Sequence, residues 1–511
     1  MTLHLSPGIS EIFDDIDDVT HHWHYLFSDV LKDHVKTLKL KKREQNKPWI
    51  DRTLRKELNH RYKLLRKAKK TKNPDTWRDY KTQRNRCKRL LMKAESMYWK
   101  DQFETSNSPK MFWKTVNSYH GKTIRSNIGP IVKNNIEYIT DADKANTLNI
   151  HFAKIGCELH SENLIDDNSQ IFRVTPITPN LKLDYHQFEK AFNDIKIGKA
   201  NGQDNIKSDY LKQIGPANSG LYNVIKRSIQ QGKFPTKWKV GKVTCLHKKG
   251  SKQDPNNYRP ITLLSIPSKV LEKMIFIQLS DHLTAHNILC NNQWGFRTGR
   301  STESILLKMT KQWNKALDCG KIIAVLFIDF KKAFDVVPHN ILLKKLQANG
   351  VSGELYELIQ SYLLNRQQYT VVNGCSYKPT SVECGVPQGS LLGPQLFSIN
   401  INDFPDKITK GELELFADDS TAFEICDNHP YAFTAAQDLL DEVDSFSGRN
   451  GFQVHTDRGK TEIMFISKTP FIGPLPDFKL GTKSISVAPT VKCLGLLIDN
   501  KLSWDPLHKD H

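Results

Sequence analysis

Between Ile322 and Phe330 the chain reads IIAVLFIDF, an almost unbroken apolar run closed by a carboxylate. A strand with one wet face alternates apolar and polar residues. A continuous run of this length predicts a strand covered on both faces. Asp329 closes that strand, where a charge is costly unless something neutralises it. Helix signals follow: Pro338 near a start, then Ile341, Leu342, Leu343 and Leu346, with Asn349-Gly350 as a stop.

A second acidic site lies in LELFADDSTAFEI (413–425). Leu413 and Leu415 alternate with polar neighbours on one side, Phe423 and Ile425 on the other. Asp418 and Asp419 therefore fall at the tip of a β-hairpin. Adjacent carboxylates repel, and one pKa rises unless a cation is present. An Asp pair in a turn is common, so its weight comes from the second strand-end acid, Asp329. Magnesium takes a few carboxylates together with substrate phosphate oxygens. Two such ions about 4 Å apart activate an attacking hydroxyl and stabilise leaving pyrophosphate. Neighbouring side chains on a strand point to opposite faces, which ranks Asp418 above Asp419 as a shared ligand.

The charge balance fits a polyanionic partner. Lysine and arginine number 74 against 55 acids, a net charge of +19. The excess is concentrated: Lys36 to Lys93 holds 23 basic residues and 5 acids. Within that block Trp49, Leu54, Leu58, Tyr62, Leu65, Trp77, Tyr80, Leu90, Leu91, Tyr98 and Trp99 recur at helical spacing. They predict two or three amphipathic helices with a cationic outer face, turning at Asn73-Pro74-Asp75. A solvated helical hairpin is the plain alternative to nucleic-acid contact, and the one-sided charge favours contact. Nine scattered cysteines form no Cys-x-x-Cys pair, against a zinc ribbon or knuckle. Their odd number, with an acidic N-terminus lacking a secretory pattern, fits a reducing, intracellular compartment. No apolar run is long enough to span a bilayer, and no membrane partner is expected. Ser108-Pro109 and Thr140-Asp141 open helices, the second burying Ala145, Leu148, Phe152 and Ile155. TPITPNLKLD (175–184) reads as a linker. Beyond it strands alternate with helices, an α+β pattern.

Three segments, FIDFKKAFDVVPHN (327–340), GVPQGSLLGPQLFSININD (385–403) and FADDS (416–420), resemble the A, B and C boxes of retroelement reverse transcriptases in order and spacing. FPTKWKVGKVTCLHKKG (234–250), NYRPITLLSIPSKVLEKMI (257–275), QWGFRTGRSTES (293–304), GFQVHTDRGKTEIMFIS (451–467) and VKCLGLLIDNKLSW (491–504) are similar to the LINE-type, non-long-terminal-repeat branch. The basic block resembles the linker that follows the endonuclease in such polyproteins. The resemblance covers nearly the whole chain, most strongly from about 230 onward.

The resemblance implies a right-hand polymerase. Its parts would be a basic helical linker region (1–100), a connecting helical region (101–184), fingers (185–320), a ferredoxin-like palm (321–490), and a primer-grip hairpin with the start of a thumb (491–511). The activity implied is RNA-directed DNA polymerisation, with two magnesium ions, or manganese in their place. An RNA template, a DNA primer or RNA–DNA hybrid, and deoxynucleoside triphosphates would be the partners. Asp329, Asp418 and Asp419 would be catalytic metal ligands. Phe334 would block a ribose 2′-hydroxyl, a core phenylalanine being the bland alternative. Gln388, in the tight turn Gly385 to Gly389, would lie near the nucleotide sugar. Lys248, Lys249 and Arg259 would reach the triphosphate, Arg259 best suited to bidentate contact. Lys460 would help protonate pyrophosphate, or be surface charge. Gly295, Phe296 and Arg297 would touch template, and Leu494, Gly495 and Leu496 belong to a primer-grip hairpin. Asp335, in the first box, reads as a capping or structural acid.

Two departures stand out. No stretch resembles the upstream endonuclease, and the sequence stops at LSWDPLHKDH, where a helical thumb would begin. The rival expectation is therefore a catalytically inactive RNA-binding remnant of such an element. Nuclear or cytoplasmic residence follows from the family; Lys39-Leu40-Lys41-Lys42-Arg43 is too short a basic cluster to decide between them.

Overall fold

A computed structural model describes residues 13–35, 47–120, 128–160, 184–217, 219–469 and 471–503. Residues 175–183 of the expected linker, the cluster Lys39 to Arg43, and the C-terminal 504–511 lie outside the described residues. The fold is mixed α and β, in two compact units: residues 33–127, and residues 1–32 with 128–511.

The smaller unit is built on the helices Arg52–Thr71 and Pro74–Glu104. Asp51 caps the first, its carboxylate accepting from the Leu54 N–H at 2.6 Å. Lys72 in the left-handed region ends it, and Asn73 with Pro74 starts the second. Their shared seam is narrow. Leu54, Ala68, Gln83 and Cys87 are buried, and nearly every cation points outward. A third helix, Pro109–Tyr119, starts at Ser108 as the sequence predicts.

The larger unit centres on six strands: β1 (Ile322–Ile328), β2 (Glu412–Phe416), β3 (Asp419–Cys426), β4 (Glu462–Ile466), β5 (Phe478–Leu480) and β6 (Lys483–Val487). They run in the order β5-β6-β4-β1-β3-β2. β1 is buried at every position, as its continuous apolar run requires. Ile323, Val325 and Phe327 pack with Trp313 and Met309 of helix Thr302–Asp318. Ala324, Leu326 and Ile328 pack toward Leu439 and Val443 of helix His429–Asn450. A strand clamped this way leaves no wet face for a polar residue, so chemistry is confined to its ends.

The same covering reaches β2. Glu414, the polar residue alternating with Leu413 and Leu415, is 0% exposed. Its carboxylate accepts from Trp294 Nε1 at 2.6 Å and Asn292 Nδ2 at 3.3 Å, and pairs with Lys308. These partners sit on the segment and helix that cover that face, and they anchor residues 292–294 to β2.

A second sheet pairs the antiparallel strands Val240–His247 and Tyr258–Leu263 and continues through Arg366–Val372. Helix Asp141–His160 lies against it, burying Ala145, Leu148, Phe152 and Ile155 as predicted. Helix Ile16–His34 belongs here rather than with the basic block. Its Ile16, Val19, Trp23 and Phe27 enter the main core, and Trp23 Nε1 donates to the Ser219 carbonyl at 2.7 Å. The strands Thr490–Cys493 and Leu496–Asp499 form a hairpin turned by Leu494 and Gly495, both at positive φ.

Candidate active site

β1 and β3 pair antiparallel with Ser420 opposite Ile328. The next residues outward are Asp329 and Asp419, so register alone sets these two acids side by side. Asp418 lies in the turn between β2 and β3, preceded by Ala417 at a φ of 58°. A non-glycine residue in that region is held there by its surroundings. The buried Gln293 supplies the hold: its Oε1 accepts from the Ala417 N–H at 3.1 Å and from the Gly295 N–H at 2.7 Å. Gly295 is packed so closely on Ala417 that a Cβ there would collide with the Ala417 backbone nitrogen.

The acids strain one another electrostatically. Desolvation raises the Asp418 pKa, with Asp329 adding to it and Lys248 and Arg259 opposing. Asp419 is pushed up to about 6 by desolvation, then by the charges of Asp418 and Asp329. Its own side chain opens to solvent beside these two carboxylates. Asp329 is met by Lys460, whose Nζ lies 2.5 Å from Oδ2. Among the described residues no group of three or more His, Cys, Asp and Glu is already gathered as a metal cage. The donor chemistry nonetheless suits a hard cation. Beyond burial, the charge of Asp329 raises the pKa of Asp418, and those of Asp418 and Asp329 raise that of Asp419; magnesium completes its shell with water and phosphate oxygens rather than an all-protein cage.

A cleft of about 770 Å³ opens over these acids. It brings together Asp329, Asp418, Phe334, Gln388 and Lys460 with Lys248 and Lys249 from the loop between two paired strands and Arg259 from the second of those strands. That loop closes where Lys248 N–H donates to the Asn257 carbonyl at 2.8 Å. Lys332 Nζ ties it to the first box, donating to the carbonyls of Asn256 and Tyr258 at 3.2 and 3.3 Å. Burial, then the charges of Lys460 and Arg259, lowers the Lys248 pKa. Phe334 stacks on Phe397 with centroids 4.4 Å apart and planes 17° apart.

Asp419, Gly295, Phe296 and Arg297 do not line the cleft. Phe296 stands beside it, 59% exposed, its ring 6.3 Å from Phe334 and perpendicular to it. Arg297 is turned inward: Nη1 donates to the Cys290 carbonyl at 2.7 Å and the Gln293 carbonyl at 3.4 Å. The segment holding Gly295 to Arg297 is thus bound to the Asp418 turn through Gln293.

Residues 246–498 match the family described as reverse transcriptase (RNA-dependent DNA polymerase). That span contains both acid sites and every cleft-lining residue except Ile155 and Leu159. Residues 246–498 are a reverse transcriptase domain similar to those of LINE-type elements. The chain is similar to the probable RNA-directed DNA polymerase from transposon BS of Drosophila melanogaster, 27% identical over 479 residues, 89% of this chain and 52% of that relative. It is also similar to the probable RNA-directed DNA polymerase from transposon X-element of the same fly, 27% identical over 446 residues, covering 82% and 47%. The polymerase from its mobile element jockey is 25% identical over 342 residues, covering 65% and 37%. The chain spans about half the length of the first two of these relatives. Residues 50–108, in the smaller unit, match the family described as female sterile protein K10 C-terminal domain. Reverse transcriptases as a family use divalent metal ions and act on nucleic acid with nucleotide substrates. No described helix of this chain is long and apolar enough to cross a membrane.

Two residues of the reverse transcriptase site escape a reading of the sequence. Gln293 carries no chemistry of its own, and Asp335, read as a capping or structural acid, gives no sign of which residue it pairs with. Asp335 caps no described helix; half-buried, it accepts from Gln388 Nε2 through both carboxylate oxygens, at 2.9 and 3.0 Å. An acid among Ala333, Phe334, Val336 and Val337 is the signal that could have marked it, since a buried carboxylate needs a partner.

Proposed function

We propose that the chain is an RNA-directed DNA polymerase of a LINE-type retrotransposon. It adds deoxynucleotides to a primer 3′-hydroxyl on an RNA template. The observation that carries this reading is the convergence, in one cleft, of Asp329 and Asp418 from distant segments beneath three cations from a separate sheet. Residues 185–320 serve as fingers and 321–490 as a ferredoxin-like palm.

Asp329 and Asp418 would hold two magnesium ions, with Asp419 a looser partner. Bound ions supply activation of the attacking hydroxyl and neutralise charge on departing pyrophosphate. The chain's own residues position and select. Arg259, Lys248 and Lys249 face the triphosphate, with arginine the best bidentate anchor. Phe334, fixed by its stack on Phe397, closes the space a 2′-hydroxyl needs. Gln388 meets the sugar. Lys460, paired with Asp329, would give a proton to pyrophosphate. Gly295 and Phe296 meet template. Catalysis rests on positioning and fixed charge.

Primer extension on an RNA template with magnesium tests this. Asp418→Asn is expected to lower the rate by at least a hundredfold, on the order of what one fixed electrostatic group supplies, with unchanged thermal unfolding. Extension at the wild-type rate would refute the metal-ligand role. Magnesium-indifferent RNA binding without incorporation, by the wild-type chain, would favour an inert RNA-binding protein.

A further inference from the structure

We propose that Asp335 is a positioning residue that decides which end of the Gln388 amide faces the incoming nucleotide, and thereby selects a sugar able to donate a hydrogen bond. The inference rests on the polymerase reading and adds to it the determinant of one specificity.

An unconstrained glutamine can turn its amide either way. Gln388 cannot, because its Nε2 donates to both oxygens of Asp335, at 2.9 and 3.0 Å. An ionised carboxylate accepts only, so a reversed amide would set oxygen against oxygen. Burial pushes the Asp335 pKa up to about 6, with Lys332 and the Gln388 amide opposing, so the group is an anion at neutral pH. The spacing is fixed by backbone on both sides. Gly385 N–H donates to the Val337 carbonyl and Val386 N–H to the Phe334 carbonyl, each at 2.8 Å. A Cβ on Gly385 would come within 2.6 Å of the Asp335 carbonyl oxygen. Thr262 N–H donates to the Gln388 carbonyl at 2.8 Å, pinning the turn to the strand that carries Arg259.

The consequence is chemical. With Nε2 committed, Oε1 is the end of the amide left for the cleft, which Gln388 lines together with Phe334. An acceptor there rewards a hydroxyl and gives nothing to a sugar without one. Phe334 closes the 2′ side, so the hydroxyl in question is the 3′. The chain would therefore favour an extendable 2′-deoxynucleotide over a 2′,3′-dideoxynucleotide, and Asp335 would set the margin without touching either.

The test is single-nucleotide incorporation by the full chain on an RNA template with a DNA primer and magnesium, comparing a 2′-deoxynucleotide with its 2′,3′-dideoxy counterpart. Asp335→Ala is expected to raise KM for the deoxynucleotide roughly ten- to a hundredfold, the range for losing a hydrogen bond to a charged group. The change in kcat should be small, and the preference over the dideoxynucleotide should fall toward unity. Asp335→Asn, whose carbonyl still accepts one N–H, should recover part of that preference. A wild-type preference retained in Asp335→Ala would overturn the inference. A thermal-unfolding cycle of Asp335→Ala with Gln388→Ala checks the pairing without activity. Coupled effects support it and additive effects overturn it. A wild-type chain that incorporates neither nucleotide would instead overturn the polymerase reading, and with it the nucleotide half of this inference.

Discussion

His24 is a buried imidazole that must stay neutral, because its Nε2 accepts from Trp238 Nε1 at 3.0 Å. Burial, then the charge of Lys237, drives its pKa down to about 3 from 6.5. Above pH 6.5 folded and unfolded chains are both neutral at this position. Below it, the unfolded chain takes a proton that the folded chain refuses, so this contribution to stability is lost as pH falls from 6.5 toward 3. The slope is about 1.4 kcal/mol per pH unit inside that window. Urea unfolding followed between pH 4.5 and 7 checks this. His24→Gln, whose carbonyl can still accept from Trp238, should flatten the slope by about that amount, and an unchanged slope would contradict it. Residues differ in how openly the sequence declares them. Asp329 and Asp418 are legible because a carboxylate beside an apolar strand is costly and demands a reason. Asp335 and Gln293 are not. Their partners lie 53 and 124 residues away, and nothing local records such a pairing.

At the scale of elements, period is the reliable guide. The unbroken run of β1, the helical spacing in Asp141–His160, the turn at Asn73-Pro74-Asp75 and the helix start at Ser108 all fold as read. Alternation at β2 does not expose Glu414, because a strand covered on both faces can bury a charge if a neighbour neutralises it, as Lys308 does for Glu414. The basic helical pair of the smaller unit is the element whose charge most needs a purpose. Its seam holds Glu57, which accepts from Gln83 Nε2 at 2.6 Å and pairs with Arg86 at 3.1 Å, while Lys63, Arg66, Lys67, Arg84, Lys88 and Arg89 stand exposed. We propose that this surface holds nucleic acid through its phosphates. RNA affinity of the full chain, measured across salt concentrations, tests it. Changing those six cations to glutamine should reduce the log–log salt slope by several units, about 0.7–0.9 for each phosphate no longer neutralised. Single-nucleotide incorporation should stay within about twofold at saturating template. A salt slope equal to wild type would exclude the surface.

For the whole molecule, the mixed α/β architecture is readable from the order of patterns along the chain. How distant segments meet is readable only through resemblance. Register between β1 and β3 places Asp329 beside Asp419, and no local periodicity encodes which residue of one strand faces which of another. The division at residues 33–127 is equally hidden: helix Ile16–His34 joins the main core by packing against residues some 200 positions away. The central claim is that Asp329 and the Asp418 turn share bound cations. Localised cleavage tests it directly, with Fe2+ in place of magnesium and ascorbate and peroxide to generate hydroxyl radicals at the metal. Backbone cuts are expected near both 329 and 418, suppressed by excess magnesium and abolished together in Asp418→Asn. Cuts at only one of the two segments, or at both in Asp418→Asn as in wild type, would contradict it.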